Sequence, residues 1–304
     1  MKRLFILASA AIVALASCSK TQVVYNDAPE EIGFKTYAGA MTKANLNATH
    51  TSMGVFAYLQ GSSLFFDDTK FTHSSDNKWT GGRYWPIDNT QEIDFAVYAP
   101  SKEDVTGSNA AFDYTAKTLA LTIPDNTATQ VDWLYGNAIV EGTKQSNLST
   151  GVGIELSHAL SKISVVLETA ETNAFKFVSL TLDNTKQAGT ITVDYDATPA
   201  MTVTPSNGSV SYSHSFTGLT AGDGIPASTQ MGEVLVFPSD ATDFTFQYKM
   251  TGSNATLTAP IPLDGTWEPS KHYIYTITVV GNEIFIVPTV DEWTSKVPLD
   301  ETVQ

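Results

Sequence analysis

The residues best suited to metal or acid–base chemistry are five histidines and a set of aspartates. No histidine lies three to five residues from another, and the chain has no cysteine pair to complete a zinc site. The histidine spacing therefore predicts no metal centre. The five positions are His50, His73, His158, His214 and His272.

Known catalytic signatures are also missing. The chain has no Gly-x-Ser-x-Gly elbow, no Walker loop and no dinucleotide fingerprint. Asp67, Asp68, Asp240 and Asp243 could contribute to a calcium site or to a carboxylate pair, but no Asp-x-Asp-x-Asp-Gly loop supports calcium. We predict no enzyme and no cofactor. A glycosidase stays open as a lesser alternative, because it needs only two carboxylates at the right distance in space.

The only cysteine, Cys18, stands directly after an apolar run. Lys2 and Arg3 precede a stretch from Leu4 to Leu15, which is shorter than the ~20 residues that span a membrane and has the layout of a secretory signal. Its ending, Leu15-Ala-Ser-Cys18, resembles the lipobox of bacterial lipoproteins. We therefore expect removal of residues 1–17, acylation of the Cys18 thiol and stable membrane anchoring by several acyl chains.

Charge excludes one class of partner. The chain carries 32 acidic residues against 17 lysines and arginines, so a nucleic-acid backbone would be repelled. We predict no nucleic-acid binding. Arginine is nearly absent: beyond Arg3 of the signal, the chain has only Arg83.

Aromatic residues cluster between Trp79 and Pro86, where Tyr84 and Trp85 also lie. Such rings could stack on sugars, and a glycan-binding surface lipoprotein is the alternative function that this cluster leaves open. The favoured interpretation is that the rings fill a core, since aromatics supply much of the buried area of a small sandwich. The same interpretation is applied to Trp133, Trp267 and Trp293.

The elements that would hold these residues are short strands. Thr118–Ile123, Gly189–Tyr195, Asp243–Tyr248 and His272–Val280 alternate apolar with polar or small residues, the pattern of half-buried strands. Clusters of Gly, Asn, Asp, Ser and Pro separate them. Since long amphipathic helices are missing, the sequence predicts an all-β protein built of β-sandwiches.

The length of 304 residues favours two domains. We place a signal peptide at 1–17, an N-terminal β-sandwich at 18–150 and a C-terminal β-sandwich at 151–304. Residues 19–31 are polar and are predicted to tether the fold to the lipid.

Several segments together resemble the fimbrillin family, the subunits of type V pili in Gram-negative anaerobes. No single motif is strong, but their order covers nearly the whole mature chain. The segments are Leu15-Ala-Ser-Cys18, Ile32-Gly-Phe34, Met41-Thr-Lys-Ala44, Tyr84-Trp-Pro86, Ile93-Asp-Phe-Ala-Val-Tyr-Ala-Pro100, Ser157-His-Ala-Leu-Ser-Lys-Ile163, Trp267-Glu-Pro-Ser-Lys-His-Tyr-Ile-Tyr275 and Val290-Asp-Glu-Trp293.

This resemblance implies two tandem β-sandwich domains of transthyretin-like topology and a structural role in a cell-surface fimbrium that serves adhesion. It implies travel to the outer membrane as a lipoprotein, partnership with other fimbrial subunits in a homo- or hetero-polymer, and a host glycan or protein receptor as a further partner. In the family, a protease removes the first strand, and a strand of a neighbouring subunit replaces it.

Carried onto this chain, the resemblance places Ile32 and Phe34 on the removed strand and cleavage after Lys43, with Ala44 as the new N-terminus. The donor segment would lie within 284–304. Its candidate pocket-filling residues are Ile284, Ile286, Val287, Val290 and Val297.

The processing site departs from the family pattern, which ends in arginine where this chain has Lys43. We expect Arg83 to lie inside a domain core, beyond the reach of an arginine-specific protease. Either a lysine-tolerant protease acts on this chain, or the subunit keeps its lipid and serves as an anchor at the base of the pilus.

Overall fold

A computed structural model describes residues 29–36, 50–60, 63–73, 78–124, 130–172, 174–186, 188–196, 200–205, 212–281 and 283–293. The predicted signal peptide, Cys18, Lys43 and Val297 lie outside these ranges. Nearly all regular structure is β-strand, so the predicted all-β sandwich class is confirmed. A short helix, α1 (Lys144–Asn147), and one 3-10 turn (Lys102–Asp104) are the helical elements of the described part.

The strands are numbered along the chain. They are β1 (Glu31–Thr36), β2 (Ser52–Leu59), β3 (Ser63–His73), β4 (Trp79–Tyr84), β5 (Ile93–Ala99), β6 (Asn109–Asp113), β7 (Thr118–Ile123), β8 (Leu134–Gly136), β9 (Val140–Gly142), β10 (Val152–Ile154), β11 (Leu156–His158), β12 (Ser161–Thr169), β13 (Phe175–Thr185), β14 (Gly189–Asp194), β15 (Ala200–Pro205), β16 (Tyr212–Ser215), β17 (Ser228–Val236), β18 (Ser239–Asp240), β19 (Phe244–Met250), β20 (Leu257–Ile261), β21 (Thr266–Trp267), β22 (Lys271–Val280) and β23 (Glu283–Glu292).

The N-terminal half is built on a nine-stranded sheet. Its strand order is β10-β1-β4-β3-β2-β5-β8-β11, with β9 paired to β5. One buried cluster takes all of its residues from strands of this sheet and from the adjoining Trp85, so the sheet curls around its own core. Phe95 and Val97 of β5 lie in this core because alternate residues of a strand face the same side.

The other face of the nine-stranded sheet carries a second core. Phe56 of β2 and Tyr98 of β5 point to that side, where a four-stranded sheet of order β15-β14-β7-β6 contributes Leu121 and Ile191. The Tyr98 ring lies so close to β2 that a Cβ on Gly54 would come within 2.2 Å of it. Only glycine leaves room for the ring at this position.

The C-terminal half is a sandwich of two four-stranded sheets, β17-β12-β22-β23 and β16-β13-β19-β20, with a small β18-β21 pair beside them. Strand β22 shows how its sequence produces this layer. Its Tyr273, Tyr275, Ile277 and Val279 are buried, and the residues between them are at least partly exposed. The alternation predicted for this segment therefore matches the alternation of buried and more exposed side chains along it.

Strand pairing continues across residue 150. Strands β10 and β11 follow that residue but pair within the nine-stranded sheet, and β14 pairs with β7 along six residues of each strand. The two halves thus share hydrogen-bonded sheets as well as the second core. The division into domains at residue 150 stays a prediction.

Candidate assembly site

Strand β1 lies inside the nine-stranded sheet, between β10 and β4. It runs parallel to β10, with Phe34 opposite Val152, and antiparallel to β4, with Phe34 opposite Trp79. The register against β4 breaks between Glu31 and Gly33, and pairing with β10 begins only at Phe34. The strand is therefore held on both sides at Phe34 and on one side near its start.

The two residues predicted on the removable strand fill the first core. Ile32 and Phe34 are both 0% exposed. The Phe34 ring meets Phe71 and Phe95 edge-on, with centroids 5.1 and 5.0 Å away and interplanar angles of 83° and 88°. Edge-to-face packing of this kind adds to the free energy of simple burial. The structure thus places both residues in a closed pocket whose walls belong to other strands.

Few side-chain contacts hold β1 at its N-terminal end. A carboxylate oxygen of Glu31 accepts a hydrogen bond from the Gly82 amide at 2.7 Å, and Lys144 lies 3.5 Å from Glu30. At Gly151 (φ +74°) a Cβ would come 3.1 Å from the Gly33 carbonyl, so glycine permits the close approach of the chain that enters β10. Backbone pairing and the two apolar side chains hold this strand more than ion pairs do.

The donor candidates lie on β23, the edge strand of one C-terminal sheet. All ten of its residues pair antiparallel with β22, and within the described residues no strand pairs with its other edge. Ile284 and Ile286 are partly buried against the C-terminal core, whereas Val287 and Val290 are 58% and 53% exposed. By alternation Val290 shares the face of Ile284 and Ile286 although it is exposed, and Val287 lies on the opposite face.

Sequence reasoning missed one residue of this strand. Phe285 is 50% exposed and lies on the same face as Val287, away from the C-terminal core. A large aromatic ring that alternates with two isoleucines was the available signal. Phe285 and Val287 form an exposed apolar pair spaced like Ile32 and Phe34.

The end of β23 is tied to the N-terminal half. The Trp293 indole stacks on the His158 ring, with centroids 3.6 Å apart and an angle of 8°, and the Trp293 amide donates to the Ser270 carbonyl at 2.9 Å. His158 Nδ1 lies 2.8 Å from a carboxylate oxygen of Asp132. Any release of β23 must therefore break an aromatic stack.

The opposite edge of the same sheet is closed. On β17, the Leu235 amide donates to the Gln130 side-chain oxygen and the Leu235 carbonyl accepts from the Gln130 amide nitrogen, each at 2.7 Å. Farther along, the Thr217 amide donates to the Met231 carbonyl at 3.2 Å. These contacts occupy backbone groups that a new strand would need, so β23 is the more accessible edge of this sheet.

The aromatic cluster is mostly core. Trp79, Trp133 and Trp267 are buried as predicted, and Trp85 belongs to the first core. Tyr84 is about half exposed, but the two tryptophans of the cluster, Trp79 and Trp85, are buried. The cluster therefore does not present the flat row of rings that sugar stacking would use.

The prediction that Arg83 lies inside a core is wrong. The residue is exposed, its guanidinium lies 5.3 Å from the centre of the Phe66 ring, and its Nε donates to the Thr69 hydroxyl at 3.1 Å. The physical reason is that a charge can cover a buried ring from outside without losing its water. Arg83 nevertheless sits in β4, directly beside the partner residues of β1.

Two of the four carboxylates considered for catalysis, Asp68 and Asp240, are engaged in local side-chain contacts. Asp68 accepts a hydrogen bond from the Tyr98 hydroxyl at 2.8 Å and lies 2.5 Å from the Lys102 ammonium. Burial raises the pKa of Asp68. Asp240 belongs to the separate β18-β21 pair, where Thr266 donates to it at 3.3 Å.

The histidines are dispersed through the fold. His272 Nε2 lies 2.6 Å from the Ser164 hydroxyl, and burial, followed by the nearby Lys162 charge, lowers the pKa of His272. Burial also lowers the pKa of His214. Across the residues that the structure describes, no three His, Cys, Asp or Glu side chains gather as metal ligands. That same part of the chain contains no helix of the length and apolarity that crossing a bilayer requires.

Solved structures share this architecture. A crystal structure of a fimbrial protein from Bacteroides vulgatus matches with a TM-score of 0.66 at 18% identity, covering 87% of this chain and all of that one. A candidate cell adhesion protein from Bacteroides uniformis matches with a TM-score of 0.57 at 17% identity, covering 87% of this chain and 98% of the other. At these identities the likeness shows the fold. No curated protein matches the chain.

The sequence itself decides the family. The model of the fimbrillin-like family matches residues 39–293, which is most of the chain and includes every strand described above except β1. The resemblance seen in the short motifs is thereby confirmed over residues 39–293. This chain belongs to the fimbrillin-like family.

Proposed function

We propose that this protein is a structural subunit of a cell-surface fimbria that serves adhesion, exported to the outer membrane as a lipoprotein acylated at Cys18. Cleavage after Lys43 removes β1, and a strand of a neighbouring subunit takes its place. The observation that carries the proposal is the burial of Ile32 and Phe34 in a pocket whose walls come from other strands.

The position of β1 in the chain makes its removal simple. It is joined to β2 through residues 37–51, which contain Lys43, and one cut there leaves the rest of the sandwich covalently intact. The remaining subunit would have unpaired backbone groups on β10 and β4 and a cavity where Phe34 had been. Both effects favour a replacement strand, because unpaired buried backbone groups and apolar cavities cost free energy.

Strand β23 is the proposed donor. It is an edge strand near the C-terminus, it carries exposed apolar residues, and eleven residues follow Trp293 to the end of the chain. An edge strand can leave its sheet after the hydrogen bonds on one side are broken. The loss is balanced when the strand pairs on both sides in a neighbouring subunit.

The identity of the protease decides between a polymerising and an anchoring role. A lysine-tolerant protease would generate the polymerising form. An arginine-specific protease would find only Arg83 in the mature chain, and that residue lies in a strand paired with β1. A subunit that escapes cleavage would keep its lipid and act as an anchor at the base of the fimbria.

Mass spectrometry of the protein purified from its native cell surface tests this proposal. An N-terminus at Ala44 in material of high molecular weight supports cleavage after Lys43 and polymerisation. An acylated Cys18 at the base of fimbriae made of other subunits supports the anchor form. An acylated Cys18 found only on free monomers would refute the fimbrial assignment.

A further inference from the structure

Removal of β1 would leave a pocket with two positions, each of defined size, that follow each other in a defined order. Along the direction of β1 it holds first an isoleucine and then a phenylalanine, and the second position is walled by the edges of Phe71 and Phe95. A smaller residue at the second position would leave a cavity, and a larger one at the first would overfill it. A replacement strand must therefore supply an aromatic ring at the second position.

Only one residue of β23 is aromatic. Resting on the proposed donor role of that strand, we propose that Phe285 enters the pocket of Phe34, that Val287 enters the pocket of Ile32, and that the donor therefore runs opposite to the direction of β1. In this frame, meaning this combination of strand direction and inward-facing residues, the pair of side chains is one methylene smaller than the original pair.

The other frames fit less well. If the donor ran in the direction of β1, Phe285 would meet the smaller pocket and Val287 the larger one. If Ile284 and Ile286 pointed inward, the Phe34 pocket would hold an isoleucine and lose its two edge-to-face contacts. Phe285 and Val287 are also the pair without a role in the monomer, since each is at least half exposed on β23.

Proline gives independent support for the reversed direction. With Phe285 at the place of Phe34, Pro288 falls at the place of Glu31, where β10 does not pair and the ladder with β4 is already irregular. In the forward frame with Phe285 inward, Pro288 would fall at the place of Lys35, opposite Gly153 of β10. Proline removes a donor from the ladder, so it is tolerated better where one neighbour is missing.

In the proposed frame, one side chain of the acceptor, that of Lys78, lies close to the incoming strand. This frame places Ile286 where Gly33 now lies, and a Cβ at that position would come 3.4 Å from the end of the Lys78 side chain. A lysine stem can move aside at low cost, since the contact is with a side chain rather than with backbone. This contact therefore does not by itself require β4 to move, although the reversed donor pairs antiparallel with β10 and parallel with β4 where β1 does the opposite.

Disulfide trapping between two full-length copies in the native cell distinguishes the frames. The acceptor copy carries Val152→Cys on β10, opposite the place of Phe34, and the donor copy carries one cysteine at 284, 285, 286 or 287. Disulfide formation requires close and suitably directed Cβ atoms. We expect a crosslinked band from fimbriae for F285C and its loss at the other three positions.

The outcomes separate the two levels of the inference. Crosslinking at 284, 286 or 287 instead of 285 overturns this frame and leaves strand exchange intact. Crosslinking at none of the four, in fimbriae that still form, excludes β23 as the donor. If wild-type cells yield no fimbriae that contain this chain, whether as polymerised subunit or as anchor, the proposed function fails, and the frame fails with it. As a second measurement, F285L should give fimbriae that dissociate at lower detergent concentration, whereas V290T at an exposed position outside the frame should not.

Discussion

Replacing Phe34 with alanine tests whether β1 is part of the precursor and absent from the assembled subunit. The side chain is fully buried and packs edge-on against two rings. Phenylalanine-to-alanine changes in such cores cost about 3–5 kcal/mol, because the transfer free energy of the ring is lost and a cavity remains. We expect the unprocessed chain with F34A to unfold with its free energy lowered by that amount.

The measurement is urea unfolding of the unprocessed chain, followed by tryptophan fluorescence, since Trp79 and Trp85 lie in the same core as Phe34. A shift of the midpoint at unchanged slope reports the change in stability. The matched control is F285A, because Phe285 also lies on a strand but its side chain is half exposed. It should cost about 1 kcal/mol or less in the monomer.

The same variant then separates precursor from product. If β1 is removed during maturation, fimbriae from F34A cells should resist heat and denaturant as wild-type fimbriae do, although less precursor survives. Equal destabilisation of precursor and fimbriae would show that β1 stays in place after assembly. An unchanged midpoint in the precursor would show that Phe34 does not occupy the pocket at all.

Three further predictions concern the rest of the fold. Gly54→Ala should destabilise the chain by several kcal/mol in urea unfolding, because its Cβ would overlap the Tyr98 ring; wild-type stability would contradict this packing. Burial lowers the folded-state pKa of His272 below its unfolded value, so the free energy of unfolding should fall as the pH drops through about 6.5. H272N should reduce that fall when unfolding is measured between about pH 7.5 and 5.5, roughly one unit above and below that pKa. Equal pH slopes for the variant and the wild type would refute this prediction. Gln130→Ala should leave both backbone groups of Leu235 without this partner and cost about 1–3 kcal/mol, and Q130E should also destabilise the chain, because its second carboxylate oxygen would face the Leu235 carbonyl oxygen; wild-type stability of both variants in urea unfolding would argue against the paired contact.

The sequence predicted the strands better than their partners. Alternation of apolar with polar residues located β7, β14, β19 and β22, because the period of two is a local property of the chain, whereas β1 was predicted from the family resemblance at Ile32 and Phe34. The same alternation could not tell which face of β23 is buried, since Ile284 and Phe285 are both apolar and adjacent. Phe285 was overlooked for that reason, although it is the more exposed of the two.

Long-range pairing lay beyond sequence reasoning. No local pattern indicates that β14 pairs with β7, or that β10, which follows residue 150, lies beside β1. The position of Arg83 was missed because Trp79 and Trp85, at four residues before and two after it, are buried and simple alternation would place Arg83 on their face. Gly82 has a φ of +65° and the register of β4 shifts between Thr80 and Tyr84, so the alternation is interrupted and the Arg83 side chain lies over the Phe66 ring at the surface.

The side chain of Gln130 affects how copies of this protein can pair with each other when many of them lie close together. Its amide occupies the place of a peptide group beside Leu235, so a copy of the same sheet cannot extend the ladder from that side. Proteins held at high local density are exposed to edge-to-edge aggregation, and a terminated ladder protects against it. At Leu235 this flank of the sheet has no free backbone groups for a new strand, so strand addition is favoured at β23 on the opposite flank.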